Sequence, residues 1–170
     1  WERRTAVYFP KFTDAEWIKE QEKIAAEQAR LKDLQARSVD VMKLGDRKEE
    51  KDHSLVSKIS YSLSYRAKRG RDARTEGFFE FKMKVVEAPL TLRATYWGEE
   101  SKRIFYILVD GVKIATENLG YGKQGEFIER DYPIPQELLK GKTSVMVRFE
   151  PEKGHTAGPV FGCLIFKNSR

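Results

Sequence analysis

The stretch Phe79-Glu80-Phe81-Lys82-Met83-Lys84-Val85 decides the fold class. Apolar residues fall at every second position, with charged residues between them. Successive side chains of an extended strand point to opposite faces, so this segment buries one face and wets the other. An amphipathic helix would instead repeat its apolar positions every three or four residues. Downstream, Leu90-Thr91-Leu92-Arg93-Ala94-Thr95-Tyr96 repeats the alternation. Ile104 to Val109 is apolar on both sides, which predicts a strand covered on both faces. Asp110-Gly111 then reads as a two-residue hairpin turn, with Val112 to Ala115 as the return strand. Phe127–Tyr132, Ser144–Phe149 and Pro159–Phe166 are further strands, and Pro135 to Gly141 is one helical turn with Pro near its start and Gly past its end.

From about residue 54 onward the pattern therefore predicts short antiparallel strands packed as two sheets. The expected fold is mainly β: an antiparallel, jelly-roll-like β-sandwich with one N-terminal α-helix. No βαβ alternation is present, which argues against a doubly wound sheet. Phe79, Phe81, Leu92, Ala94, Leu108, Val145, Val147 and Phe149 are the expected core.

Upstream the pattern changes. Arg4 to Phe9 reads as a short strand ended by Pro10. Thr13-Asp14-Ala15-Glu16 is a capping box, and a run of strong helix formers follows to about Arg37. Trp17, Ile24 and Leu31 are spaced by seven and form a narrow apolar stripe, expected to dock on the sandwich, on a preceding domain, or on both. Residues 38–58 hold few large apolar side chains and the run Asp46-Arg47-Lys48-Glu49-Glu50-Lys51-Asp52, which reads as a linker or a wrapping segment. The expected organisation is a strand, helix and linker over 1–53 and a sandwich over 54–170.

Of the 170 residues, 40% are hydrophobic and 34% charged, a balance that supports a packed core and excludes wholesale disorder. No stretch approaches the ~20 apolar residues that span a bilayer. The net charge of +6 is scattered among 26 acidic residues. The densest basic run, Arg66 to Arg74, reads as a solvated loop between strands, and no nucleic-acid signature accompanies it. The single cysteine, Cys163, lies in an apolar stretch and reads as a buried small hydrophobe.

Catalytic signals are sparse. His53 and His155 are far apart, and neither belongs to a ligand set, so no metal or cofactor is expected. Carboxylates are abundant, but none lies in the apolar setting that tunes a general acid. No catalytic residue is assigned. Trp97 ends a strand on the face of Arg93 and Thr95, opposite Leu92 and Ala94. An indole there either covers the end of the sandwich or stacks on a sugar ring. Arg74 and His155 join Trp97 as candidate glycan contacts.

Several stretches, in order, carry a resemblance: Asp52-His53-Ser54, Arg71-Asp72-Ala73-Arg74 with Gly77-Phe78-Phe79, Leu92 to Gly98, Ile107 to Ala115, Tyr132-Pro133-Ile134-Pro135 and Thr156-Ala157-Gly158-Pro159. Together they resemble the C-terminal region of the β-L-arabinofuranosidase-like glycoside hydrolases, families 127 and 146. That resemblance implies a catalytic (α/α)-barrel and a β domain lying before this region as its partners. The nucleophilic cysteine, zinc ligands and acid carboxylates of the family belong to the barrel, which this sequence does not match. Cys163 is therefore not the nucleophile. The resemblance also implies a periplasmic or extracellular enzyme acting on plant-type glycan. Two non-catalytic functions follow: an accessory sandwich supporting the barrel, which the lead-in favours, or a free-standing carbohydrate-binding module.

Overall fold

The computed structural model describes residues 13–120 and 125–168. The strand expected at Arg4 to Phe9 lies outside them. The chain divides between Ala36 and Arg37 into two compact units.

The described part of the first unit is helix α1, which runs Asp14–Arg37. The capping box closes in both directions. The Glu16 amide donates to Thr13 Oγ1 at 3.1 Å, and the Thr13 amide donates to Glu16 Oε2 at 3.3 Å. No side chain of the helix is buried, and Trp17, Ile24 and Leu31 are 54%, 42% and 51% exposed.

The second unit comprises β1 (Ser38–Met42), α2 (Arg47–Asp52), β2 (Val56–Tyr65), β3 (Lys68–Lys84), β4 (Leu90–Trp97), β5 (Arg103–Val109), β6 (Val112–Leu119), β7 (Phe127–Pro133), a 3-10 turn (Gln136–Leu138), β8 (Ser144–Pro151) and β9 (Ala157–Lys167). All strand pairs are antiparallel and run in the order β6-β5-β8-β3-β9-β4-β7, with β1 added on β9 and β2 on β3. The ladder is continuous because β3 changes partners. It pairs with β8 through Phe79–Lys84 and with β9 at Arg71 and Ala73. Between these regions the β2–β3 register shifts, with Ile59 and Glu76 at positive φ. Gly77 sits there because a Cβ would collide with the Lys58 carbonyl oxygen. The sheet thus folds over into the two layers of a jelly-roll-like β-sandwich.

The alternating residues of β3, β4, β5 and β8 meet between the layers. Phe79, Phe81 and Phe149 are fully buried and mutually stacked, with centroids 5.1 to 6.4 Å apart. Asp110 and Gly111, both at positive φ, form the expected hairpin turn between β5 and β6.

Three expectations are corrected. Leu108 is only half-buried. The inward positions of β5 are Phe105, Ile107 and Val109, because Ile107 and Val109 pair with core-facing Phe149 and Val147. Residues 38–53 are not a bare linker. β1 pairs with β9, and Met42 and Leu44 are fully buried. Few apolar residues suffice because α2 is anchored by polar contacts. Asp46 caps it, and Glu50 Oε2 and Oε1 accept from Arg71 Nε and Nη2 at 2.7 and 3.0 Å. Residues 66–74 are not a solvated loop. Only Arg66 and Ala67 form a turn, and Lys68 onward is strand. The basic residues there alternate in orientation along a hairpin.

Among the described residues, no helix is long and apolar enough to cross a membrane.

Candidate functional site: an aromatic cleft at the β2–β3 hairpin

β2 and β3 pair in unbroken register from Ser60–Ala73 to Tyr65–Lys68. Tyr61, Leu63 and Tyr65 therefore share one face with Lys68, Gly70, Asp72 and Arg74. On β4, Trp97 points away from the core residues Leu92, Ala94 and Tyr96, as its place in the alternation predicts. The hairpin tip meets it edge-on: the Tyr65 and Trp97 rings are 4.9 Å apart at 68°. Phe127 packs on the indole at 4.9 Å and 72°, and Phe161 packs on Phe127 at 5.0 Å and 77°. Edge-to-face contacts of this kind hold the rings in fixed relative positions.

Three of these rings border a cleft of about 280 Å³ lined by Leu63, Ser64, Tyr65, Trp97, Glu100, Pro159 and Phe161, with Phe127 behind them. Tyr65 is 42% exposed and supplies the accessible ring, whereas Trp97 is only 6% exposed and backs it. The Arg66 guanidinium lies 5.2 Å from the indole centroid and 5.7 Å from the Tyr65 ring. Glu100 pairs with Arg103 at 3.0 Å, so the cleft's carboxylate is balanced.

The other two candidate residues are placed differently. Arg74 lies on the same hairpin face, 5.6 Å from the Tyr61 ring centroid, with Nε 3.2 Å from the buried Asp72 carboxylate. His155 is in the β8–β9 turn. Its Nδ1 is 3.0 Å from the Lys102 carbonyl oxygen and its Nε2 3.8 Å from Glu152. The imidazole therefore ties this turn to the β4–β5 loop and does not line the cleft. Tyr65, Phe127 and Phe161 belong to the cluster, but sequence reasoning missed them. They lie on three different strands, and only the register brings them to Trp97. Exposed Tyr61 and Tyr65 alternating with Ser60, Ser62 and Ser64 are the available signal for β2.

Other chemistry is structural. Cys163 is buried, and burial pushes its thiol pKa upward, which suppresses the nucleophilic thiolate. The Tyr132 hydroxyl donates to Glu117 Oε1 at 2.9 Å, which leaves the Tyr96 hydroxyl to donate to Tyr132 at 2.8 Å. Burial likewise raises the pKa of both phenols. His53 closes α2 onto β1, with Nδ1 2.8 Å from Glu49 O and Nε2 3.4 Å from Asp40. No group of three or more His, Cys, Asp or Glu among the described residues is arranged to hold a metal.

The fold is that of carbohydrate-binding modules of known structure. A family 35 carbohydrate binding module from Clostridium thermocellum is 13% identical, with a TM-score of 0.52 over 75% of this chain and 97% of that one. A family 35 module from an environmental isolate is 10% identical, with a TM-score of 0.54 over 76% and 98%. A module from Cellvibrio mixtus lichenase 5A, solved in complex with cellotriose, is 9% identical, with a TM-score of 0.52 over 78% and 99%. At these identities the likeness is one of fold. No curated protein matches the chain. Residues 33–165 match DUF6805, a family of unknown function, and the chain belongs to that family.

Proposed function

We propose that this protein is a non-catalytic carbohydrate-binding module whose ligand occupies the cleft beside Tyr65 and Trp97. The observation that carries the reading is the cleft itself: a partly exposed tyrosine held edge-on by a buried indole, with Ser64 and Glu100 at the same opening. A sugar ring presents apolar C–H faces and polar edges, and a mostly apolar cleft with a few polar groups suits both. The carbohydrate-binding modules of similar fold support this reading. A glycan array tests it. Binding should appear in the wild type and be lost or strongly reduced in Tyr65→Ala, while a wild type that binds no glycan rejects the proposal.

The second reading is the accessory role, as the C-terminal sandwich of a secreted β-L-arabinofuranosidase-like glycoside hydrolase. It is favoured by α1, whose exposed Trp17, Ile24 and Leu31 stripe suits contact with a neighbouring domain. It also supplies the extracellular or periplasmic location. The two readings are compatible, since a module can bind glycan while attached to an enzyme. Only the first is carried by the cleft.

A further inference from the structure

A second cleft, of about 370 Å³, lies across Phe161 from the first. It is lined by Lys43, Leu44, Asp46, Ala67, Lys68, Arg69 and Phe161. Its electrostatics differ from those of the aromatic cleft. Asp46 is its only carboxylate among the described residues, and its Oδ1 accepts from the Lys48 and Glu49 amides at 3.0 and 3.3 Å to cap α2. Lys43, Lys68 and Arg69 are exposed, and no ion pair holds any of them among the described residues. Arg66, at the hairpin turn, is likewise outside any ion pair and leans over the Tyr65 and Trp97 rings. Farther along the same hairpin the arginines are satisfied, Arg71 by Glu50 and Arg74 by Asp72. Among the described residues, unpaired lysines also occur elsewhere on the surface, but Lys43, Lys68 and Arg69 line one cleft and Arg66 flanks the other. Like charges held this close repel one another, and an anion among them removes that repulsion.

We infer that the second cleft is a subsite for the carboxylate of an acidic glycan, a uronic acid unit whose neighbouring sugar sits against Tyr65. This inference rests on the carbohydrate-binding reading above. Three features favour it. The shared wall, Phe161, makes the apolar and cationic clefts adjacent. The planar fork of Arg69 matches a carboxylate with two parallel hydrogen bonds, and the lysines add point charge. Lys68 Nζ lies 4.7 Å from the Phe127 ring centroid, so one cation reaches toward the aromatic side. A nucleic acid strand would call for successive open ring faces, and here the rings are packed edge against face with Tyr65 the accessible one.

The test uses the full chain and measures affinity for polygalacturonate, alginate and glucuronoxylan, each beside its carboxyl-reduced form. Heparin and an oligothymidylate serve as sulfate and phosphate competitors. The expected result is that at least one uronate polymer binds about tenfold more tightly than its reduced form, a preference that fades as salt screens the charges. Lys68→Ala/Arg69→Ala should abolish that preference with unchanged melting temperature and unchanged affinity for the reduced polymer. Lys43→Ala should diminish it. Equal affinity for acidic and reduced forms, or a preference untouched by these substitutions, overturns the subsite and leaves the module reading standing. Tighter binding of heparin or oligothymidylate than of any uronate also overturns it. Binding of no glycan at all rejects both proposals together.

Discussion

Gly70 of β3 leaves room for the ring of Phe161 on β9. A Cβ at position 70 would lie 2.9 Å from that ring and 2.8 Å from the Val160 carbonyl oxygen. The contact fastens the β2–β3 hairpin over the sheet and sets the wall between the two clefts. Gly70→Ala must push Phe161 away from the hairpin. Overpacking of this sort costs roughly 1–3 kcal/mol. Chemical denaturation should show that loss, and glycan affinity should fall with it.

Phe81 tests the core. Its ring is fully buried, its β8 partner is Val147, and it stacks with Phe79 and Phe149. Phe81→Ala should destabilise the fold by roughly 3–5 kcal/mol, read from the denaturation midpoint. A loss under about 1 kcal/mol would place the ring outside the core.

The Glu50–Arg71 pair should fasten α2 and the 43–46 loop to the hairpin. Both side chains are largely buried, the contact is bidentate, and Glu50 Oε2 also accepts from the Gly45 amide at 3.0 Å. Glu50→Ala leaves a buried guanidinium without its anion, and the expected cost is about 3 kcal/mol. The double variant Glu50→Ala/Arg71→Met should recover part of that loss, which a double-mutant cycle measures.

Alkaline pH should weaken the protein. Burial raises the Cys163 thiol and the Tyr96 and Tyr132 phenols above their ordinary values. Each group keeps its proton in the fold at a pH where the unfolded chain has lost it. Their contribution is therefore full below the unfolded thiol pKa of about 8.5; the loss begins there for the thiol and near pH 10 for the phenols, and continues until pH passes the raised folded values. Unfolding free energy should fall between about pH 8.5 and 11. Cys163→Ala should shift the onset toward the tyrosine range. Below pH 8 Cys163 should resist alkylation until the chain unfolds.

Much of this architecture was legible in the chain because a strand with one wet face writes its orientation as alternation. Phe79 to Val85 and Leu90 to Tyr96 gave their inward residues directly, and Asp110-Gly111 marked the β5–β6 turn. Leu108 faces the other way from the expected core because β5 is apolar at every position from Ile104 to Val109, so sequence alone does not say which parity faces inward. β1 and α2 were hidden because the Glu50–Arg71 pair and the Asp46 cap replace an apolar pattern. For the site, the alternation of β4 put Trp97 on the outward face. Its companions Tyr65, Phe127 and Phe161 were not legible, since they meet only through the pairing of β2 with β3, β7 with β4 and β4 with β9.

The central claim is that the Tyr65–Trp97 cleft holds a sugar. Isothermal titration of the wild type and Tyr65→Ala with the strongest array ligand tests it most directly. Tyr65 is exposed at the hairpin tip, so its truncation should leave the melting temperature nearly unchanged. Loss of one stacking ring is expected to weaken affinity at least about tenfold, or ~1.4 kcal/mol. Equal affinities for the two proteins would contradict the claim by placing the ligand elsewhere on the sandwich.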